Sequence, residues 1–217
     1  MRLSNETIRK VYRSHARRYD LALRLYQLIG LRADAYRSRA IELLRLGPGD
    51  CVVDLGCGTG LSFPTLMKKI GPNGRLIGVD LTSEMLTAAR NRVDRAGWKN
   101  VELVEADILE YGFPEHVAGA LSIGAFGYLA DSESVIANIS RQLTPGGRFV
   151  IVDGKRPSGW PLWLFRLFVY LFRPFRLNLD YFAGHPWESV AKVFNESAVE
   201  ELYGGLMYIS SGTVSRE

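Results

Sequence analysis

The fold of this chain is set by Val52-Val53-Asp54-Leu55-Gly56-Cys57-Gly58-Thr59-Gly60, an apolar run that leads into an acid and three alternate glycines. Val52, Val53 and Leu55 predict a short buried strand, and the glycines allow a tight turn and the close approach of a ligand to the backbone. The next segment, 61–70, has a helical pattern, so its free N–H groups would point towards the glycines. The sequence therefore predicts a site for an anionic, nucleotide-type ligand.

The spacing of the glycines and of two later acids narrows the choice of ligand. Glycines at 56, 58 and 60 depart from the G-x-G-x-x-G pattern of NAD-binding loops. A second apolar run, 75–80, ends in Asp80, where α/β sites hold the two hydroxyls of a ribose. A third run, 101–108, contains Asp107, whose carboxylate could accept a hydrogen bond from an adenine amino group. Three strand ends are thus expected to converge on one crevice.

These motifs, in this order, resemble those of the class I S-adenosylmethionine-dependent methyltransferases, over roughly residues 33–153. The resemblance implies that Asp54 orders the loop near the methionine amino group, that Asp80 binds the ribose and that Asp107 contacts the adenine. It also implies S-adenosylmethionine as cofactor and S-adenosylhomocysteine as product. The residues that it places around the cofactor are Asp54, Gly56, Cys57, Gly58, Thr59, Gly60, Asp80, Leu81, Met85, Asp107 and Ile108.

Helical and strand patterns alternate from residue 33 onward, which predicts an α/β fold with a doubly wound, mostly parallel sheet covered by helices on both faces. Residues 199–214 predict two strands joined around Gly204-Gly205. The resemblance implies that these strands close a seven-stranded Rossmann-like sheet as an antiparallel hairpin. The helices are expected over 33–46, 61–70, 83–96, 132–143 and 186–195, and the fourth and fifth strands over 117–123 and 148–153.

We expect a single domain over residues 1–217, because the pattern shows no repeat, low-complexity tract or linker. Its expected parts are a helical lid (1–32), a cofactor-binding core (33–153), an amphipathic insertion (154–184) and a closing helix and hairpin (185–217).

The composition is typical of a soluble enzyme domain. The 217 residues are 47% hydrophobic, which is enough for a sizeable core. The two cysteines, Cys51 and Cys57, suggest no disulfide framework, and no cluster has metal-ligand spacing, so we expect no metal. The first residues lack the apolar core of a signal peptide, which predicts a cytoplasmic protein.

The N-terminal stretch 6–31 is a candidate for substrate selection. Tyr12, Tyr19 and Tyr26 recur every seven residues on one predicted helix face, in a region rich in arginine. One interpretation is a lid in which Tyr19, a candidate catalytic residue, closes over the transferred methyl while the arginines attract an anionic partner. The other interpretation is a solvated face with the tyrosines packed on the sheet.

An aromatic insertion follows the fifth strand. Two prolines, at 161 and 174, bound about 13 helical residues, a length of roughly 20 Å that is too short to span a hydrocarbon layer of about 30 Å. Arg166, Tyr170 and Arg173 share one predicted face, and apolar side chains cover most of the rest. Residues 155–176 include no acid, so the helix could lie in an anionic membrane interface. Its apolar face could instead cover an apolar substrate pocket or form a dimer contact.

The residues that bind the methyl acceptor are harder to predict, because the transfer of an already activated methyl group requires few specific side chains. Segment 122–128, which lies near the transferred methyl in the resembling family, lacks the N/D-P-P-Y/F signature of some base methyltransferases, so we expect no nucleic-acid substrate. His185 could accept a proton, although a histidine before a proline is more often a loop residue. The candidate substrate-binding residues are Tyr12, Tyr19, Tyr26, Tyr128, Arg166 and Arg173.

The main hypothesis is methyl transfer from S-adenosylmethionine to an apolar or amphiphilic acceptor. The runs Tyr19-Asp20-Leu21 and Leu25-Tyr26 resemble small bacterial N-methyltransferases of lipid amino head groups, which act on phosphatidylethanolamine and diacylglyceryl-homoserine. This resemblance implies a phospholipid-type substrate and peripheral contact with the inner membrane face. The alternative is O-, N- or C-methylation of a small metabolite or quinone. A cofactor-binding protein without transfer activity and, given the pI of about 9.1, a nucleic-acid binder stay open, as does the oligomeric state.

Overall fold

The structure is a computed structural model that describes residues 32–129, 131–171 and 179–215. Within these residues seven strands form one sheet, and six α-helices accompany it. The strands are β1 (Cys51–Leu55), β2 (Arg75–Asp80), β3 (Val101–Glu105), β4 (Val117–Ile123), β5 (Leu143–Gly154), β6 (Asn195–Leu202) and β7 (Met207–Thr213). The helices are α1 (Ala33–Leu43), α2 (Phe63–Ile70), α3 (Ser83–Ala96), α4 (Ser132–Gln142), α5 (Leu162–Leu171) and α6 (Pro186–Val193), and short 3-10 turns cover Phe126–Tyr128, Asp180–Phe182 and Tyr203–Gly205.

The sheet has the order β3-β2-β1-β4-β5-β7-β6. Strands β1 to β5 pair in parallel, whereas β7 is antiparallel to both of its neighbours. The predicted doubly wound, mostly parallel seven-stranded sheet with an antiparallel C-terminal hairpin is confirmed. The strand order reverses direction beside β1, and the crevice outside the carboxyl ends of strands at such a point is where open α/β sheets bind ligands.

Each face of the sheet carries its own hydrophobic core. Helices α1, α2 and α3 supply one cluster, in which Ile41, Phe63 and Val93 are almost fully buried. Helices α4 and α6 supply the other, which includes Ile136 and Val190. Burial on both faces explains why the central strands read as continuous apolar runs rather than as alternating ones.

Local signals position several helix ends. The carboxylate of Asp131 accepts a hydrogen bond from the Ser134 N–H at 3.0 Å and so caps the start of α4. Gly97 takes a left-handed conformation, with φ of 70°, immediately after α3. Several predicted bounds are wrong. Helix α1 ends at Leu43 rather than at 46, α2 begins at Phe63 rather than at 61, and α6 ends at Val193 rather than at 195. Strand β5 begins at Leu143 rather than at 148, and β6 begins at Asn195 rather than at 199.

The insertion forms α5, which packs through Phe165 and Val169 against the 3-10 turn Asp180–Phe182 in a small third cluster. Residues 172–178 lie outside the described part, so the predicted extension of this helix to 174 is not described. In the described residues no helix combines the length and the apolar character needed to cross a bilayer. The division of the chain into lid, core, insertion and closing segment stays a prediction.

Candidate active site

The glycine loop follows β1 and is tied to the end of the neighbouring strand. The N–H groups of Gly56 and Cys57 both donate to the carbonyl oxygen of Val79, at 2.8 and 2.9 Å. Gly56, Gly58 and Gly60 all have positive φ, of 70°, 55° and 75°, which is a conformation that favours glycine. A Cβ on Gly56 would lie 2.6 Å from the Cβ of Ala125, whereas the position of a Cβ on Gly58 has no neighbour within 4 Å. The loop is therefore covered at Gly56 by the segment that follows β4 and is open at Gly58.

Asp80 at the end of β2 holds this loop. Its Oδ2 accepts from the Gly58 N–H at 2.8 Å, and its Oδ1 accepts from the backbone N–H and the hydroxyl of Thr82, at 3.0 and 2.7 Å. Burial raises the pKa of the Asp80 carboxyl, and these hydrogen bonds act in the opposite direction. The second acid of the sequence pattern is thus brought directly against the loop.

Asp54 at the end of β1 is only 2% exposed. Burial raises its pKa to about 7, and the charge of Asp80 adds to this effect, while the charge of Arg37 and a hydrogen bond from Ser62 oppose it. Its Oδ2 has no hydrogen-bond partner among the described residues. A buried carboxylate oxygen without a donor suits a cationic ligand group.

Arg37 on α1 is a residue that sequence analysis missed. It is only 6% exposed, and its Nη1 donates to Asp34 Oδ1 at 3.2 Å and to the Ala33 carbonyl at 3.4 Å, but its Nε has no acceptor in the described part of the chain. The available signal was helical spacing, because Arg37 shares the buried stripe of α1 with Ala33, Ala40 and Ile41. Arg37 and Asp54 together place a buried cation and a buried anion beside the glycine loop, and a zwitterionic amino-acid group fits this pair.

The third acid lies in the turn after β3. Asp107 is half-buried, and its Oδ1 accepts from the Leu109 N–H at 2.9 Å. Ile108 is nearer to the loop, since its Cδ1 lies 3.7 Å from the position of a Cβ on Gly56. Asp107 thus orders the turn, while Ile108 forms the apolar wall.

The remaining predicted cofactor residues surround the same loop. Thr59 is buried, and its carbonyl accepts from Arg92 Nε on α3 at 2.9 Å. Cys57 is buried, with its thiol pKa well above the ordinary value because burial disfavours the thiolate; a nucleophilic role is therefore disfavoured. After β2, Leu81 is half-buried and Met85 is buried.

On the acceptor side, the carboxyl end of β5 carries a buried acid that sequence analysis did not single out. Asp153 accepts from the Gly127 N–H at 2.9 Å, from the Gly154 N–H at 2.8 Å and from the hydroxyl of Tyr181. Burial raises the pKa of its carboxyl, and these hydrogen bonds oppose that rise. Asp153 therefore ties the segment after β4 and the insertion to a single point on the sheet.

Aromatic packing strengthens this connection. A Cβ on Gly127 would lie 2.4 Å from the ring of Tyr181, and a Cβ on Gly154 would lie 2.7 Å from the ring of Phe182. The rings of Tyr128 and Tyr181 meet edge to face, with 4.8 Å between centroids. Gly127 and Gly154 thus leave space for Tyr181 and Phe182, which attach the insertion to the sheet.

The predicted acceptor residues are only partly placed together. Tyr128 lies in this cluster, whereas Arg166 is exposed on α5. His185 is exposed immediately before α6 and contacts the ring of Trp187 at 4.9 Å between centroids. The remaining candidates lie outside the described residues: Tyr12, Tyr19, Tyr26 and Arg173.

A cavity of about 560 Å³ lies at the opposite end of the central strands, near the amino end of β5 and the last residues of β7. Arg148 and Thr213 are among its lining residues, and no residue of the predicted cofactor site lines it. In the described part of the chain no group of three or more His, Cys, Asp or Glu side chains is arranged to hold a metal ion.

Comparison with known proteins agrees with this architecture. A family model described as a methyltransferase domain matches residues 52–147. The demethylmenaquinone methyltransferase of Listeria welshimeri is 31% identical over 160 residues, which cover 71% of this chain and 66% of the relative. The enzyme of the same name from Thermus thermophilus is 34% identical over 145 residues, which cover 65% of this chain and 63% of the relative. The matched region thus spans slightly less than two thirds of these relatives.

A solved structure shows the same fold over most of its length. The crystal structure of a SAM dependent methyltransferase from Aquifex aeolicus aligns with a TM-score of 0.60 at 21% identity, covering 82% of this chain and 89% of that one. The sheet order, the loop after β1 and these similarities lead to one assignment. The chain carries a methyltransferase domain and has the fold and the motif order of the class I S-adenosylmethionine-dependent methyltransferases.

Proposed function

We propose that this protein transfers a methyl group from S-adenosylmethionine to a ring carbon of an apolar quinone-type acceptor. The observation that carries the proposal is the open glycine loop held by Asp80 and flanked by two buried, incompletely paired charges, Asp54 and Arg37. The acceptor class is supported by the relatives at 31% and 34% identity, whose names specify demethylmenaquinone. It corresponds to the quinone alternative rather than to the lipid head group of the main sequence hypothesis.

Different residues around the loop bind different parts of the cofactor. In this proposal Asp54 binds the amino group and Arg37 binds the carboxylate group of the methionine end. The ligand packs against the backbone of Gly58, where no side chain intervenes. Asp80 takes the ribose hydroxyls with the oxygen lone pairs that Gly58 and Thr82 leave available. Ile108, Leu81 and Met85 form the apolar walls around the adenine. The carboxylate of Asp107 accepts a hydrogen bond from the adenine amino group.

When bound, the cofactor supplies a methyl on a positively charged sulfur, which is already activated for transfer. The chain then has to position the acceptor, exclude water and accept a proton. At the carboxyl ends of β4 and β5, next to the loop, Tyr128 is a partly exposed aromatic side chain that is backed by the buried rings of Tyr181 and Phe182. An electron-rich ring carbon of a reduced quinone can be methylated there without a nucleophilic side chain. Tyr19 and His185 stay candidates for the proton acceptor.

Methylation of a lipid amino head group is the second candidate. The observation in its favour is the basic, aromatic insertion, because three cations and no acid lie over residues 155–171. An amine acceptor would need nearby acids or aromatic rings to hold the head group, and Tyr128 and Tyr181 could supply the rings. Both candidates share an apolar substrate and place the protein in the cytoplasm, peripherally at the inner membrane face, without nucleic acid.

A labelling experiment separates these candidates. Purified protein is incubated with S-adenosylmethionine carrying an isotopically labelled methyl, together with reduced demethylmenaquinone, phosphatidylethanolamine or RNA, the lipids being supplied in detergent. We expect label in the quinone and none in the other two, and an Asp80→Ala protein should transfer none. Label in phosphatidylethanolamine would replace the quinone proposal with the head-group candidate, and cofactor binding without any labelled product would overturn the enzymatic proposal.

A further inference from the structure

The outer face of α5 exposes an unusual amount of apolar surface. Trp163 is 67% exposed, Tyr170 is 61%, Leu167 is 46% and Leu162 is 43%. These four are half of the eight large hydrophobic side chains that are exposed in the described residues, and they lie within one helix of ten residues. A patch of this kind on a soluble domain indicates a surface that binds something.

The helix is fixed by its opposite face, so the exposed side chains are not core residues that have turned outward. Phe165 and Val169 are buried, at 2% and 7% exposure, and the ring of Phe165 meets that of Phe182 edge to face at 5.1 Å between centroids. Phe182 in turn neighbours Tyr181, which Asp153 holds at the end of β5. The helix is therefore connected to the acceptor side of the sheet through Phe182 and Tyr181.

Charge identifies the kind of partner. Residues 155–171 contain Lys155, Arg156 and Arg166 and no acid. Lys155 pairs with Glu201, and Arg156 lies over the ring of Phe165 at 6.0 Å from its centroid. Arg166 is exposed in the middle of the patch. Apolar and aromatic side chains interleaved with arginine on a short helix match an anionic lipid surface, where the rings lie at the head-group level and the guanidinium groups meet phosphates.

We propose that the outer face of α5, formed by Leu162, Trp163, Arg166, Leu167 and Tyr170, docks onto an anionic lipid bilayer, with the helix axis in the plane of the interface. This inference rests on the proposed function, since it supplies the source of an apolar acceptor. Docking in this orientation brings the carboxyl ends of β4 and β5 close to the membrane. A quinone or lipid could then reach the cluster of Tyr128 and Tyr181 without crossing water.

Like charge argues against two other occupants. Residues 1–31 carry seven basic and two acidic side chains, so this segment would bring further positive charge to the basic patch. A second copy related by a two-fold axis would bring a second patch that is equally basic and has no acid, because such an interface uses the same surface on both sides. An anionic bilayer is the occupant for which the charges are complementary.

The test is co-flotation of the purified full chain with vesicles. Vesicles of phosphatidylcholine are compared with vesicles in which part of it is replaced by phosphatidylglycerol, at low and at high salt. We expect binding to the anionic vesicles that weakens as salt is added. The Trp163→Ser, Leu167→Ser protein and the Arg166→Glu protein should each bind at least tenfold less well.

Matched controls make the same chemical changes elsewhere. Val193→Ser with Val199→Ser removes two exposed apolar side chains from α6 and β6, and Arg90→Glu reverses one exposed charge on α3. Both proteins should bind vesicles like the parent. Equal losses in the controls and the α5 variants, or a parent that shows no preference for anionic vesicles, would overturn the docking surface. Self-association of the parent that is lost in the α5 variants, without vesicle binding, would point to the second copy instead.

A parallel assay separates this inference from the proposed function. Methyl transfer to an acceptor dissolved in detergent does not need a bilayer, so the Trp163→Ser, Leu167→Ser protein should retain it at the parent rate. If this protein binds vesicles poorly yet methylates in detergent, both proposals hold. If the parent binds vesicles and methylates nothing, only the function fails; if it methylates in detergent but ignores vesicles, only the docking surface fails.

Discussion

Asp54 is a carboxylate that the fold buries without a full set of donors, and its pKa of about 7 reflects that burial. In the unfolded chain an aspartate has a pKa near 4, so between about pH 4 and 7 the folded state holds a proton that the unfolded state has released. The contribution of Asp54 to stability is therefore present at acid pH and is lost as the pH rises through this window.

We expect Asp54→Asn to be more stable than the parent above pH 7 in the absence of cofactor, because asparagine buries no charge. Each pKa unit corresponds to about 1.4 kcal/mol, so the advantage should reach a few kcal/mol at most. It should shrink as the pH falls and vanish near pH 4. Urea unfolding of both proteins at pH 4.5, 6 and 8 measures this difference. An advantage independent of pH would show that Asp54 does not titrate in this range.

Asp80 should control cofactor affinity without being required for folding. Asp80→Asn replaces a charged acceptor by a neutral one at the Gly58 and Thr82 hydrogen bonds. Hydrogen bonds to a charged group contribute roughly 1.5 to 3 kcal/mol, so we expect the affinity for S-adenosylmethionine or S-adenosylhomocysteine to fall about ten- to a hundredfold. Calorimetric titration measures the affinity. Asp94→Asn, which removes an exposed acid of α3, is the matched control and should bind like the parent.

The residues of the loop could be predicted because their chemistry is local. A glycine that needs positive φ and an acid at a strand end leave a mark in a short window of sequence, as Gly58 and Asp80 do. Arg37 and Asp153 could not be found in this way. Their roles depend on which distant groups they face, since Arg37 acts on Asp54 and Asp153 accepts from Tyr181.

Among the elements, the insertion is attached to the sheet by a small number of specific contacts. Tyr181→Phe keeps the ring against Gly127 but removes the hydroxyl that donates to Asp153. Loss of one partner of a buried group costs about 1 to 3 kcal/mol, and the turn Asp180–Phe182 should become less well fixed. We expect the KM for the acceptor to rise severalfold, with little change in cofactor affinity.

Steady-state kinetics with the acceptor in detergent, together with a cofactor titration, measures both quantities for Tyr181→Phe. The matched control is Tyr170→Phe, which removes a hydroxyl from the exposed face of α5 and should leave the KM unchanged. A loss of stability with an unchanged KM would show that Asp153 and Tyr181 act only in folding.

Element types were predictable, and element ends less so. The helices and strands between 51 and 142 follow periodicity and turn signals, and α3 and β4 have the predicted bounds. The start of β5 was missed because Pro145-Gly146-Gly147 is a turn signal, yet β4 pairs with the chain on both sides of it, at Leu143 and from Arg148 onward. Pairing with a neighbouring strand determines the secondary structure of such a segment. The division of α5 into a buried and an exposed face depends on the 3-10 turn that it packs against, which sequence periodicity did not reveal.

At the scale of the whole molecule, one side chain connects the core to the candidate site. Phe63 of α2 is fully buried, and its ring lies 2.7 Å from where a Cβ on Gly60 would be and 2.7 Å from where a Cβ on Gly78 would be. Gly60 belongs to the loop and Gly78 to the middle of β2. The ring therefore fills the gap between the central sheet and the loop, so that packing of the first core fixes the loop conformation.

Gly78→Ala should consequently affect stability and cofactor affinity together. The added methyl meets the Phe63 ring at 2.7 Å and Cys57 Sγ at 3.0 Å, both of which are buried. Overpacking of this kind costs about 1 to 3 kcal/mol, and displacement of Phe63 or Cys57 should lower the affinity for S-adenosylhomocysteine severalfold. Gly112→Ala, at a site with no neighbour within 4 Å, is the control and should leave affinity unchanged with equal or slightly higher stability. Thermal unfolding with and without ligand measures both effects. A Gly78→Ala protein that is destabilised but binds the ligand like the parent would show that the loop keeps its shape independently of the core beneath it.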